Sequence, residues 1–339
     1  MATPFSWLAA RFTLGPRALR WGTTAALLVS VFIVFSGGVV RVTGSGLGCP
    51  TWPACEPGSL TTTPELGIHG LIEFGNRALT GLLILAVGWA IVAARLQRPR
   101  NRTVTRLAWS QFWLVVANSV AGGISVLTGL NPFVVAMHFL LAIALLTTTT
   151  LTWHRARQSL GGSVTPRAEG VRFIFSALAS RLSWLLIGIT FVLIMVGTLV
   201  TGSGHHSGDS SDVPRMNFVW QDVVFVHGIL GFVLLAVTAA LLVTLRRSAN
   251  SRLAQRRVQF FIFAILGQSL IGIVQAVSDS PAVLVALHVV GVALVWVGAV
   301  RVLLDVNPAL FSTVRATDAA DVSPIVDHSA APMVARVKP

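Results

Sequence analysis

The chain has 339 residues, of which 54% are hydrophobic and 11% are charged. A soluble globular protein carries about 25% charged residues, so this composition excludes that class and indicates an integral membrane protein. The net charge of +13 would suggest a nucleic-acid partner in a soluble protein. Here the arginines lie in the loops between apolar segments, and we therefore predict no nucleic-acid partner.

Eight apolar segments are each close to the roughly 20 residues that an α-helix needs to span a bilayer. Basic residues lie mainly before the first segment and after every second one, which places both termini in the cytoplasm by the positive-inside rule. The segments are predicted at residues 22–42, 70–94, 107–128, 132–152, 182–201, 221–245, 258–277 and 281–304.

The first segment leads into the motif Val-Thr-Gly-Ser-Gly at residues 42–46, and the loop after it contains Cys49 and Cys55. The loop is predicted on the outer side of the membrane, where disulfides form. We therefore expect a disulfide that closes this short loop. A structural staple and a redox role are both open.

The second segment carries four polar side chains at i, i+4, i+7 and i+8, which is one helix face. A carboxylate inside a membrane span is costly, and it usually faces a bundle interior with a partner. Glu73 is therefore interpreted as a functional residue, and the alternative is a structural ion pair between Glu73 and Arg77. The four residues are His69, Glu73, Asn76 and Arg77.

Segments five to eight repeat the first four. The motif of residues 42–46 recurs unchanged at residues 200–204, and a His-Gly pair follows each copy at the same spacing. Gly122 and Gly272 recur at an offset of 150 residues, and such small residues let helices approach closely. Each half has an even number of segments, so both halves have the same orientation.

The predicted fold is all-α: a polytopic membrane protein with eight transmembrane helices, arranged as two parallel-repeat four-helix bundles. The predicted parts are a cytoplasmic N-terminal segment (1–21), an N-terminal bundle (22–153), a cytoplasmic linker (154–181), a C-terminal bundle (182–304) and a cytoplasmic tail without predicted order (305–339).

Each half carries one histidine on its second segment and one on its fourth, near the outer side. Imidazole is a strong ligand for haem iron, and four-helix bundles bind cofactors between facing helices. The pattern predicts one bis-histidine haem site in each half. The pairs are His69 with His138, and His227 with His288.

The two predicted sites differ in their surroundings. Glu73 aligns with Gly231 when the halves are compared without a gap, so only the N-terminal site has an acid beside it. A buried carboxylate can accept a proton or stabilise positive charge. The asymmetry favours one haem as a cofactor and the other as a substrate.

Residues 44–55, Gly-Ser-Gly-Leu-Gly-Cys-Pro-Thr-Trp-Pro-Ala-Cys, and residues 72–77, Ile-Glu-Phe-Gly-Asn-Arg, closely resemble the haem A synthase family. The resemblance covers essentially all eight segments. It implies an oxidoreductase of the cell membrane that oxidises the C8 methyl group of haem O to a formyl group by successive hydroxylations. The product would be haem A for cytochrome oxidase.

The resemblance also implies the ligands and partners. Haem b would be the iron cofactor of the C-terminal half, ligated by His227 and His288, and haem O would be the substrate of the N-terminal half, facing His138. Glu73 would be the catalytic acid, and Cys49 and Cys55 the outer-loop pair. Membrane lipid surrounds the chain, and haem O synthase, an electron donor and an oligomer are candidate partners.

One position departs from the family. The family pattern often has a histidine where Asn76 stands, and an amide nitrogen is a poor haem ligand. His69, in repeat register with His227 by the ungapped comparison, is the candidate substitute. The alternative is a substrate haem with His138 alone, which leaves an open iron position.

Two other functions are weighed against this one. A diheme b-type electron-transfer cytochrome predicts two equivalent sites and gives Glu73 and the cysteines no role. A transporter with parallel repeats predicts broken helices, whereas the segments here are largely uninterrupted.

Overall fold

The computed structural model describes residues 4–160, 176–204, 206, 208–248 and 251–308. Most of the predicted linker 154–181 and nearly all of the tail 305–339 lie outside the described residues. The helices are α1 (Pro4–Arg11), α2 (Pro16–Val42), α3 (Gly67–Arg95, after a short 3-10 helix at Pro64–Leu66), α4 (Arg102–Leu127), α5 (Pro132–Leu160), α6 (Ala177–Ser203), α7 (Trp220–Arg246), α8 (Arg252–Val277) and α9 (Ala282–Val306).

Helices α2 to α9 are each long and apolar enough to cross a membrane. Over the residues that the structure describes, this confirms the predicted all-α membrane fold with eight helices able to span a membrane. Most of the helices extend beyond the apolar segments, and α5 continues to Leu160 where the apolar segment ends at residue 152. Hydropathy identifies only the residues that lie inside the lipid. Basic residues in a last helical turn, such as Arg95 of α3, interact favourably with the helix dipole, so the helix can extend past the apolar segment.

Local sequence explains several helix starts. Proline stands in the first turn of α2 and α5, where its missing N–H costs no hydrogen bond. The Asn101 side chain caps α4 by accepting from the N–H of Val104 at 3.1 Å. The Ser176 hydroxyl caps α6 in the same way.

The helices of each half pack in a closed ring. In the N-terminal half α2 contacts α3 and α5, and α4 contacts the same two helices; α6 to α9 repeat this pattern in the C-terminal half. The rings fit the prediction of two four-helix bundles. The halves meet through α2 and α5 on one side and α6 and α9 on the other.

The contact between the halves is apolar and well packed. Trp296 of α9 lies at its centre with Val34 and Ile143, and its Nε1–H donates to Thr147 Oγ1 at 2.8 Å. Lipid is as apolar as these side chains, so close packing rather than exclusion of water stabilises the contact. A Cβ on Gly38 would stand 3.0 Å from a methyl group of Val289, so α2 and α9 approach closely there.

Loops at the disulfide end of the bundle, which we call the outer loops, also connect the halves. The Gly46 N–H donates to the Gly208 carbonyl at 2.8 Å, and the Leu47 N–H donates to Asp209 Oδ2 at 2.9 Å. The buried Leu130, from the α4–α5 turn, packs against both glycines. The first outer loop is therefore fixed by the second half of the chain.

Candidate functional site

The C-terminal histidines face each other across their bundle. His227 of α7 and His288 of α9 have ring centroids 6.4 Å apart. Two imidazoles that bind the same metal ion from opposite sides, each with a metal–nitrogen distance of about 2 Å, would have ring centroids about 6–6.5 Å apart. The spacing of the two rings would accommodate one haem iron between them, and their role as its ligands stays a prediction.

The orientation of both rings fits the same role. Nδ1 of His227 and Nδ1 of His288 are both buried, and the Leu193 backbone of α6 lies within reach of the His227 ring. Each histidine is only half-buried as a residue. With Nδ1 enclosed against the neighbouring helix, Nε2 is the nitrogen available to a ligand.

A glycine lies against each of these rings. A Cβ on Gly197 would stand 3.2 Å from Cε1 of His227, and a Cβ on Gly272 would stand 3.3 Å from Cε1 of His288. Such separations are tighter than ordinary side-chain contacts. The sequence indicated that Gly272 serves close helix packing, and the structure shows that it makes room for an imidazole.

The N-terminal half keeps one of these two arrangements. His138 of α5 has a buried Nδ1, and the Asn118 backbone of α4 lies within reach of its ring. A Cβ on Gly122 would stand 3.3 Å from its Cε1. Gly122 and His138 therefore repeat the arrangement of Gly272 and His288.

His69 has a different environment from the other three. It lies in the first turn of α3, where its Nδ1 is 2.9 Å from Ser45 Oγ, and Ser45 is fully buried. His227 stands two turns inside α7. The helix bounds thus put His69 nearer the outer end of its helix than His227.

Asn76 lies two turns farther along α3 and is part of a polar contact between helices. Its Oδ1 is 2.6 Å from the hydroxyl of Ser36 on α2. This contact joins the first two helices of the N-terminal ring. Asn76 is half-buried inside the bundle.

Glu73 is buried and fully engaged. Its Oε1 accepts from the Arg77 guanidinium at 2.5 and 3.1 Å, and its Oε2 accepts from the Cys49 N–H at 2.6 Å. Arg77 also donates to the carbonyls of Cys49, Thr51 and Ala54 at 2.9–3.2 Å. The ion pair of the structural alternative is thus present, and it also holds the cysteine loop.

That loop is closed by the predicted disulfide. Cys49 and Cys55 are bonded and both are fully buried. Between them, Trp52 lies against Gly123 of α4, where any Cβ would overlap its ring. Because Gly122 touches His138, the loop links the Glu73–Arg77 pair to the surroundings of His138.

Asp209 is a polar residue of the site region that the sequence did not single out. Its carboxylate accepts from the Leu47 N–H, and an isolated β-bridge joins Asp209 to Ser45, the partner of His69. Burial raises the pKa of Asp209, but hydrogen bonds from Ser211 and Leu47, together with the nearby His69, hold it below its ordinary value. Nothing in the sequence brings residue 209 next to residue 45.

Comparison with known proteins gives a consistent match. The family model described as cytochrome oxidase assembly protein, COX15-CtaA, matches residues 20–300. The haem A synthase of Staphylococcus haemolyticus is 28% identical over 185 residues, covering 54% of this chain and 59% of the relative. That of Lysinibacillus sphaericus is 34% identical over 127 residues, covering 36% and 40%.

A third relative, the haem A synthase of Staphylococcus epidermidis, is 25% identical over 236 residues, which cover 62% of this chain and 75% of the relative. The chain spans about half the length of the first two relatives.

Proposed function

The chain belongs to the COX15-CtaA family of cytochrome oxidase assembly proteins, and from this premise we propose that it is a haem A synthase. It oxidises the C8 methyl group of haem O to the formyl group of haem A. In net terms the change adds one oxygen atom from water and removes four electrons and four protons. The relatives named as haem A synthases support this reaction.

The observation that carries the proposal is the asymmetry of two duplicated sites. The C-terminal half has a facing histidine pair, His227 and His288, and helix α7 carries no acid beyond Asp222 in its first turn. The N-terminal half has one histidine in the same arrangement, His138, and a buried carboxylate, Glu73, on another helix of the same ring. Two equivalent electron-transfer sites would not need this difference.

In the C-terminal half, His227 and His288 hold haem b through Nε2, and their enclosed Nδ1 atoms and glycine neighbours fix the ring positions. Haem b supplies reversible one-electron chemistry when it is bound. The four electrons released by the oxidation pass to an electron acceptor outside the chain, and haem O synthase supplies the substrate.

In the N-terminal half, His138 faces the iron of haem O, and Glu73 is the catalytic acid. Arg77 and the Cys49 N–H fix the carboxylate, so it needs no rearrangement to stabilise positive charge that develops at the oxidised carbon. The disulfide loop covers this region from the outer side. The enzyme lies in the cell membrane with both termini in the cytoplasm.

The test is haem extraction and chromatography from membranes of a host without haem A that co-expresses a haem O synthase. We expect haem A only when this chain is present. Glu73→Gln removes the charge but keeps the size, and it should lower haem A formation by about 100-fold or more with haem O accumulating. Glu65→Gln, at an exposed acid just before the same helix, is the matched control and should have no effect.

Haem A at the wild-type rate in the Glu73→Gln variant would contradict the role of Glu73. Haem O that persists unchanged beside wild-type protein containing haem b would instead favour an electron-transfer cytochrome.

A further inference from the structure

The two halves differ at one level of their rings, between the first and second helices. In the C-terminal half Gly197 of α6 lies against His227 of α7. In the N-terminal half Ser36 of α2 contacts Asn76 of α3. At this level the C-terminal half has a glycine–imidazole contact, and the N-terminal half has a hydroxyl–amide contact.

Equivalent contacts elsewhere show that these two levels correspond. Thr105 of α4 donates to the Ala94 carbonyl of α3, and Gln255 of α8 donates to the Leu245 carbonyl of α7. The two donors are 150 residues apart and the two acceptors are 151 residues apart. Each residue of α3 therefore corresponds to the residue of α7 that lies 151 positions later in the chain. Asn76 is therefore the counterpart of His227.

The first helices of the two rings have a register of their own. Their buried residues repeat at 160 residues, for example Ser30 with Thr190 and Val34 with Ile194. Gly37 is therefore the counterpart of Gly197. The N-terminal half thus keeps a glycine at this level, and the adjacent Ser36 contacts Asn76.

The opposite side of each ring is the same in both halves, because Gly122 with His138 repeats Gly272 with His288. The N-terminal half therefore keeps one of the two imidazoles and has a carboxamide in place of the other. A neutral carboxamide is a weak iron ligand, and the oxygen of this one is engaged by Ser36. His69, with its Nδ1 on Ser45, stands seven residues nearer the outer end of α3.

We propose that the N-terminal half holds its substrate haem through one protein ligand, His138. Asn76, positioned by Ser36, leaves the opposite iron position open to a small exogenous ligand such as water. The inference rests on the proposed function, because it takes the N-terminal half to bind haem O. It makes the two iron sites chemically different: the C-terminal one is closed by two imidazoles, and the N-terminal one is open.

The purified, haem-loaded full chain tests this directly, with carbon monoxide as the probe on dithionite-reduced protein. We expect one of the two haems to bind carbon monoxide and to be high-spin before it is added. The variant Asn76→His restores an imidazole at the counterpart of His227, where Gly37 already stands at the counterpart of Gly197. It should become low-spin and lower the carbon-monoxide-binding fraction at least about 10-fold.

The reciprocal variant, His227→Asn, is the matched control in the other half. It should make the second haem bind carbon monoxide as well. If either variant fails to fold, the wild-type spin state and carbon monoxide stoichiometry still decide the question.

Two low-spin haems that bind no carbon monoxide in the wild-type chain would overturn the inference, even if the chain makes haem A. A carbon-monoxide-reactive haem in a chain that makes no haem A would support the inference and contradict the proposed reaction. A chain that takes up only one haem after addition of excess haemin would contradict both.

Discussion

At the scale of single residues, three glycines are as important to the candidate sites as the histidines that they touch. Gly122, Gly197 and Gly272 each leave room for an imidazole edge on a neighbouring helix. The sequence revealed the 150-residue spacing of two of them, but small residues in membrane helices usually serve helix packing. Only the three-dimensional contacts connect them to histidines.

We predict opposite effects of Gly197→Ala on stability and on haem binding. Alanine is the better helix former by about 1 kcal/mol, so the variant should fold at least as well as the wild type. Its Cβ would press on His227, and such changes next to a metal ligand typically weaken metal binding about 10–100-fold. The measurement is haemin titration of the purified chain, followed in the Soret region.

Gly188→Ala on the same helix is the control for that titration, because nothing lies within 4 Å of the added Cβ. It should gain the same stability from the higher helix propensity of alanine and keep wild-type haem affinity. Equal haem affinity in both variants would show that the glycine contact does not position His227.

At the scale of elements, the same five letters form two different structures. Val-Thr-Gly-Ser-Gly ends helix α2 at Val42 and turns at Gly44, whose φ is +64°. In the second copy α6 continues through Ser203. The first copy is drawn out of the helix by its contacts with residues 208–210, which lie far along the chain.

The disulfide loop explains why the ungapped comparison of the halves fails beyond the motif. The first half has seven more residues than the second between the motif and the counterpart of His227, and the segment from Cys49 to Cys55 is itself seven residues long. Seven residues are close to two helical turns, so His69 and Asn76 share one helix face. The face of α3 that carries these residues was therefore predictable from the sequence. The position along α3 that corresponds to His227 was not. In the contact register the counterpart of Glu73 is Val224 rather than Gly231, which leaves the asymmetry of the acid unchanged.

The contact between the outer loops predicts a pH effect on stability. Hydrogen bonds from Ser211 and Leu47 hold the pKa of Asp209 below its ordinary value of about 4. The ionised carboxylate therefore stabilises the fold above that ordinary value, and the stabilisation is lost as the pH falls through the lower folded-state pKa. Asp209→Asn should lower the melting temperature by about 1–3 °C at neutral pH, because the group is partly exposed.

In melting curves of purified protein, the difference between wild type and Asp209→Asn should shrink as the pH falls below the ordinary pKa of an aspartate and through the lower folded-state pKa of Asp209. Asp212→Asn, three residues on in the same loop at an exposed position, is the control and should shift the melting temperature at no pH. A constant difference across the pH range would show that the charge of Asp209 does not stabilise the contact.

At the scale of the whole molecule, composition and hydropathy were enough to predict eight membrane helices, and the repeated motif was enough to indicate duplication. The disulfide was also predictable, because the only two cysteines share one short outer loop. The contacts between the halves were not predictable, since α2, α5, α6 and α9 are apolar around much of their circumference and packing selects their faces. The pairing of residue 45 with residue 209 depends on those contacts.

The duplication also explains how two similar bundles can acquire different functions. Each ring keeps the glycine–histidine contact between its third and fourth helices. The N-terminal ring has a serine–asparagine contact in place of the second one, and it carries a buried acid held by an outer loop. We therefore expect one ring to hold a permanent cofactor and the other to exchange its haem.

The most direct test of this account is the number and identity of haems per chain in protein purified from membranes that also contain a haem O synthase. We expect two haems per chain in the wild type: one haem b, and one that is haem O or haem A. His138→Ala should remove only the second haem, and His288→Ala should reduce haem b. Two molecules of haem b per chain, lost equally in either variant, would contradict a division into a cofactor site and a substrate site.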